Sequence, residues 1–184
     1  MTRRLHTMVG FVSVLLPAVC SAGGKVDGLA SQIAALAADP QTFQITPATA
    51  VEKLRPVVLL AADAATEGER TLSGAAPAAG VVWARVYFQE AAKAGQWKFL
   101  QLQLGLAPPQ TDRPSFREAL AVEIAKRLGK PKTSPGRAAE RLQSWSLGKH
   151  RIVGLRDGTF ENPLDETRAP VVLVEIAIEQ GEAD

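Results

Sequence analysis

The chain has 184 residues, 21 basic and 19 acidic side chains, 46% hydrophobic residues, two histidines and one cysteine. That length suits one domain with a sizeable core, the hydrophobicity is too high for a disordered chain, and the absence of an apolar run of about 18 residues excludes a multi-span helical membrane protein. A single cysteine excludes an intramolecular disulfide and any cysteine-built zinc or iron–sulfur cage, and two histidines exclude a histidine-rich metal site.

The chain opens with Arg3 and Arg4, an apolar stretch from Met8 to Val19 broken by Pro17, and then Ser21, Ala22, Gly23 and Gly24. A positive start, a short apolar core and a small-residue exit form the pattern of a secretory signal peptide. Residues 1–22 are therefore read as a removable leader, with Cys20 and Ala22 at the two small positions before the cut. Residues 23–184 are read as a single exported domain, periplasmic or secreted. A rival reading places the cut before Cys20, which would then carry lipid and anchor an outer-membrane lipoprotein; Pro17, Ala18 and Val19 match that signal poorly. Thr2-Arg3-Arg4 starts like a twin-arginine signal, but the residues after it do not continue one. Losing Arg3 and Arg4 leaves 19 basic against 19 acidic residues, so the exported chain is formally neutral. No bulk attraction to nucleic acid or an anionic membrane is expected, and membrane association would come only through a lipidated Cys20. Without Cys20 the exported chain has no thiol, which suits an oxidising compartment.

Leu29, Ile33 and Leu36 form a helical stripe between Gly28 and Ala38, ended by Asp39-Pro40. Thr46-Pro47 opens a second helix, threonine as N-cap and proline at the first helical position, with Ala50, Val51 and Leu54 as its apolar face. Residues 61–80 are mostly Ala, Gly, Thr and charges, and read as a flexible connection. Val81 to Gln89 and Trp97 to Leu106 alternate as strands of one hairpin. One side carries Val82, Ala84, Val86 and Phe88 with Leu100, Leu102, Leu104 and Leu106, and is assigned to the core. The other carries Trp83, Arg85, Tyr87 and Gln89 with Trp97, Phe99, Gln101 and Gln103. Ser115 to Leu128 is the clearest helix, with Phe116, Leu120, Ile124 and Leu128 at four-residue spacing, a Ser115/Glu118 capping box, Gly129 as C-cap and Pro131 beyond it. Residues 130–141 read as a basic loop entering a short helical stretch. Trp145 to Arg156 reads as a tight hairpin, Asp157-Gly158 as a turn, and Val171 to Gln180 as a central strand covered on both faces.

This order predicts an α+β fold: a mainly antiparallel sheet of about five strands in two hairpin units, with helices packed on one face. The two halves share an order, helix then hairpin, without a residue-level repeat. The stretch from Ser115 through Gly129-Lys130-Pro131 to Trp145 and the hairpin after it resembles small envelope modules of the β-lactamase-inhibitor-protein type and the small outer-membrane assembly lipoproteins. A helix ended by Gly-x-Pro and followed by a hairpin is a generic unit, so the resemblance carries over no function and no site.

Chemistry-bearing motifs are sparse. After export only His150 could serve as a histidine base, and it lies beside a turn between Lys149 and Arg151. No Gly-x-Ser-x-Gly, P-loop or Gly-x-Gly-x-x-Gly pattern occurs. Glu175 and Glu179 share a strand face, which leaves a carboxylate-dependent hydrolase or lyase as an alternative. Asp157, Glu161, Asp165 and Glu166 cluster without calcium-loop spacing. Lys126, Arg127, Lys130, Lys132, Arg137 and Arg141 are opposed only by Glu140, and read as a solvated surface facing an acidic C-terminal stretch. No catalytic residue, metal site or cofactor is assigned.

The surface best suited to a partner is the hairpin side with Trp83, Arg85, Tyr87, Trp97 and Phe99, because Trp, Tyr and Arg dominate protein interfaces. The reading is a non-enzymatic binding protein of the bacterial envelope that engages another envelope protein, as an inhibitor, immunity factor or assembly accessory. A carrier of a small apolar ligand between helices and sheet is a further alternative. Mass spectrometry of the exported protein should find its N-terminus at Gly23; a diacylglyceryl group on an N-terminal Cys20 would establish the lipoprotein instead.

Overall fold

The computed structural model describes residues 23–93, 95–109, 111–135, 141–148 and 150–179. The expected leader and Cys20 lie outside them. Helix α1 spans Gly23–Ala38, a 3-10 turn Pro40–Gln44, and α2 Pro47–Leu54. Four strands follow: β1 Leu59–Thr66, β2 Glu69–Ala76, β3 Val81–Glu90 and β4 Trp97–Leu106. Helix α3, Arg113–Leu128, leads into β5 Lys132–Pro135, β6 Arg141–Ser146, β7 Arg151–Glu161 and β8 Arg168–Ile178.

The eight strands form one antiparallel sheet in the order β1-β2-β3-β4-β8-β7-β6-β5. Each half is thus a helical segment followed by a four-stranded meander, and the last strands of the two meanders, β4 and β8, pair at the centre. The fold is α+β, as expected, but among the described residues its sheet has eight strands where the sequence suggested about five. All three helices pack on one face. Leu29 and Ile33 of α1, Ala50 and Leu54 of α2, and Phe116, Leu120 and Ile124 of α3 join one buried cluster with Val86 and Phe88 of β3, Leu102, Leu104 and Leu106 of β4, and Val172, Val174 and Ile176 of β8. The buried alanines of α1, Ala30, Ala34 and Ala37, lower that helix's profile where α1 and α3 pack together.

Local chemistry sets the helix ends. The Thr46 side chain caps α2 in a reciprocal box with Thr49, and Lys53 pairs with Asp39 at 2.6 Å, tying α2 to the exit of α1. Helix α3 begins two residues before the expected Ser115. Asp112 is its N-cap, and a carboxylate oxygen accepts the Ser115 N–H at 3.0 Å. That bond to the ionised form holds the Asp112 carboxyl below the usual carboxylate range. At the other end Gly129 turns the chain at φ +83°, and its carbonyl accepts the indole N–H of buried Trp145 at 2.9 Å, fastening β6 to the helix exit.

Several expectations are corrected. Residues 61–80 are not a flexible connection but most of the β1–β2 hairpin, turning at Gly68 (φ +78°). Their Ala, Gly and Thr carry little hydrophobic alternation, and the strands are specified by backbone pairing, β2 to β3 and β1 to β2, with Leu72 supplying a buried anchor. The chain passes so close here that a Cβ on Gly74 would stand 2.0 Å from the Leu59 carbonyl oxygen, a contact only glycine permits. The basic stretch after α3 contains β5 and, from Arg141, β6. Asp157-Gly158 does not turn: β7 runs through it, and Asp157 pairs with Arg113 of α3 at 2.6 Å.

Leu120 and Ile124 are fully buried between α3 and the sheet. Leu120→Ala removes packed methyl groups and leaves a cavity, so urea melts should show a loss of about 2–5 kcal/mol; an unchanged midpoint would mean the helix face is free.

Candidate functional site

The sheet face opposite the helices carries a band of polar and aromatic side chains at its centre. Strand register sets it in rows. Arg85 on β3 stands beside Gln103 on β4, Glu175 on β8 and Gly154 on β7. One row along, Tyr87, Gln101 and Ala177 align; in the other direction Trp83, Gly105, Leu173 and Arg156 do.

Glu175 is the hub. One carboxylate oxygen accepts the side-chain amides of Gln101 at 3.0 Å and Gln103 at 3.2 Å, and the other is ion-paired with Arg156. The Arg85 guanidinium donates to the Tyr87 hydroxyl at 3.0 Å and lies 5.7 Å from the centre of its ring. Arg156 stands in the same relation to Phe160, at 5.7 Å. Six half-buried side chains from four strands are therefore held in two sets, Gln101, Gln103 and Arg156 on Glu175 and Arg85 on Tyr87, rather than by the helical layer.

One end of this face is roofed. The β7–β8 loop is held in shape by the Asn162 carboxamide, which accepts the Leu164 N–H at 3.0 Å, and by Asp165, which accepts the Thr167 hydroxyl at 2.6 Å. The Pro163 carbonyl accepts a second Arg85 N–H at 3.3 Å. Because Arg85 lies on β3, two strands from β8, the loop must fold back across the open face. At that end Trp83, Val171 and Leu173 are buried on the side away from the helices. The Trp83 indole lies over Gly105, where a Cβ would stand 2.4 Å from its ring atoms. Glycine at 105 is what lets the tryptophan lie flat on β4.

The structure brings together three of the five residues expected to share a surface. Trp83, Arg85 and Tyr87 are on the open face, though Trp83 is buried in it. Phe99 and Trp97 are not there. The β3–β4 register shifts between Tyr87 and Phe88, which face Gln101 and Phe99, so Leu100 is an extra residue. That bulge reverses the alternation of β4. Phe99 enters the core, edge-on to Phe43 at 6.1 Å and Phe88 at 6.4 Å, and Trp97 packs against the same cluster. Leu100, assigned to the core by simple alternation, is half-buried. Trp97, Phe99 and Leu100 instead line a surface cleft of about 410 Å³ with Phe43, Ile45 and Ile178 at the sheet's end. Gln101, Gln103, Arg156 and Glu175 were missed as a group; only strand pairing brings residues so far apart in sequence together.

The other candidates stay scattered. His150 is exposed in the β6–β7 turn. Glu179 is exposed beyond the end of β8, away from the paired carboxylate of Glu175. Asp157 faces α3 while Asp165 shapes its own loop, and among the described residues no three His, Cys, Asp or Glu side chains gather as metal ligands. Within the basic stretch, Lys126 and Arg127 pair with Glu123 inside α3. The chain matches no protein-family model, no curated protein and no solved structure.

Gly105→Ala would force Trp83 off β4. Overpacking of this kind costs about 1–3 kcal/mol, so the variant should unfold at lower urea; an unchanged midpoint would show that the indole does not depend on the missing Cβ.

Proposed function

We propose that this chain is an exported, non-enzymatic binding protein of the bacterial envelope that holds a protein partner on the open face of its sheet, in the manner of an inhibitor, immunity or assembly accessory protein. The observation that carries this reading is the band of Arg85, Tyr87, Gln101, Gln103, Arg156 and Glu175. It lies on the face that the three helices leave uncovered. Its guanidinium and phenol groups are the kinds that anchor interfaces, and its mutual hydrogen bonds hold them in place before a partner arrives, which lowers the ordering cost of binding.

The alternative of a carboxylate-dependent hydrolase or lyase would draw on Glu175. Its two oxygens already take two amide N–H groups and a guanidinium, which suits an organiser of the face better than a proton carrier. The alternative of an apolar-ligand carrier would need room between helices and sheet, where the side chains of both layers form one packed cluster.

A photo-cross-linking residue placed at Tyr87 should capture one protein partner in living cells, and the same residue at Val122, exposed on α3, should not. Combining the probe at Tyr87 with Arg85→Ala should remove the adduct without lowering the melting temperature. Equal adducts from Tyr87 and Val122, or an adduct indifferent to Arg85, would remove this face from the account.

A further inference from the structure

The two edges of the sheet are built differently. Strand β5, at one edge, has four residues and carries Lys132 at its start and Pro135 at its end. Short length, lysine and proline are among the devices, with bulges such as the one near the start of β1, by which sheets avoid pairing with another chain. Strand β1, at the other edge, has eight residues, Leu59–Thr66, with no lysine, arginine or proline. Its single charge, Asp63, is hydrogen-bonded by Arg70 of the neighbouring strand, the Nε contact being 2.9 Å. That contact holds the Asp63 carboxyl below the usual carboxylate range. Residues 63–66 are exposed. Among the described residues this long edge therefore has no strand beyond it, and its side chains are small but for the leucines at its start and the paired Asp63.

Two large apolar side chains, one in this strand and one in the helix that precedes it, also remain in solvent. Leu59, in β1, is 62% exposed, and Val51, in the helix that leads into it, is 49% exposed. They are two of the four exposed large hydrophobic residues among those described.

We propose that β1 pairs antiparallel with β1 of a second copy of this chain, continuing the sheet across a two-fold axis at Ala64. The register follows from the strand itself. The pairing of β1 with β2 is irregular between Leu60 and Ala62, which breaks the even edge there and leaves Ala62–Thr66 as the regular segment. A two-fold axis normal to the sheet pairs a strand with its own reverse, so the segment centres on Ala64. Ala62 then faces Thr66, and Asp63 faces Ala65. No two carboxylates stand directly opposed, as they would if the axis passed through Asp63. A second copy is favoured over a charged peptide because the one charge of this segment, Asp63, is already taken by Arg70 and the segment is complementary to itself. The same axis leaves both helical layers on one side and both open faces on the other, so the two polar bands point the same way.

Sedimentation velocity of the exported protein at about 100 µM, above the micromolar dissociation constant expected for a small interface, should show a dimer. Ala64→Lys sets two ammonium groups against each other at the axis and leaves the exposed edge of the monomer unstrained. It should sediment as a monomer with an unchanged melting temperature. Ala64→Cys should form a disulfide between residues 64 of two copies on mild oxidation, since directly paired strand residues lie within the about 6 Å that a disulfide spans. Ala48→Cys, exposed on α2, should not. A wild-type monomer at that concentration, or a lysine variant that still dimerises, would overturn the proposal. Cross-linking from Tyr87 reads the open face separately, so either proposal can fail alone.

Discussion

The pairing of β4 with β8 is the constraint on which the rest of the molecule depends. It joins two meanders that are otherwise separate in sequence, in a register where Leu102, Leu104 and Leu106 face Ile176, Val174 and Val172. These six side chains form the floor on which α1 and α3 rest. Between them along the same strands, Gln101 and Gln103 face Ala177 and Glu175, so one register builds the core on one side and the polar band on the other. A slip of one residue would turn Glu175 into the floor and expose the valines. The hydrophobic side supplies the penalty that fixes the register; the polar side inherits its geometry from it.

Much of this division could be read from the sequence, and the exceptions have physical causes. The stripes of α1 and α3 and the alternation of β3 and β8 are periodic, and periodicity is set by which side chains leave water. The helix face with Phe116, Leu120 and Ile124 is therefore placed as the spacing predicts. β1 and β2 lack that signal, because strands made of Ala, Gly, Ser and Thr are held by the ladder they complete. Their composition is that of a connection; only the neighbouring strand makes them sheet. The cap of α3 was misplaced for a related reason. Ser115 and Glu118 fit a capping box, but Asp112 offers an ionised acceptor three residues earlier, and a proline inside the first turn does not obstruct a helix there.

The largest difference at the candidate site comes from one residue. Leu100 has no partner across β3, and every side chain N-terminal to it changes face. Alternation assumed unbroken from Trp97 to Gln103 puts two aromatic rings beside Arg85. The bulge moves Phe99 under α1's exit turn, against Phe43, and gives the open face to glutamines. Bulges leave no reliable mark on a sequence of this kind, since a leucine serves equally on either side of a half-buried strand. The polar group around Glu175 was hidden for a different reason. Its members lie on three strands, and nothing local to Gln101 or Arg156 announces the carboxylate they will meet.

That group explains why the open face can stay open. A sheet whose second face is bare and apolar invites nonspecific association, and one whose second face is freely charged carries mobile side chains that must be ordered before anything docks. Here the charges of Arg156 and Glu175 offset each other, and the amides of Gln101 and Gln103 occupy the remaining carboxylate oxygen. Among the described residues no carboxylate is paired with Arg85. It is held by a phenol and a peptide carbonyl, both neutral, so its positive charge is left to the solvent side of the face. Tyr87 and Pro163 fix its direction, at the border of the roofing loop.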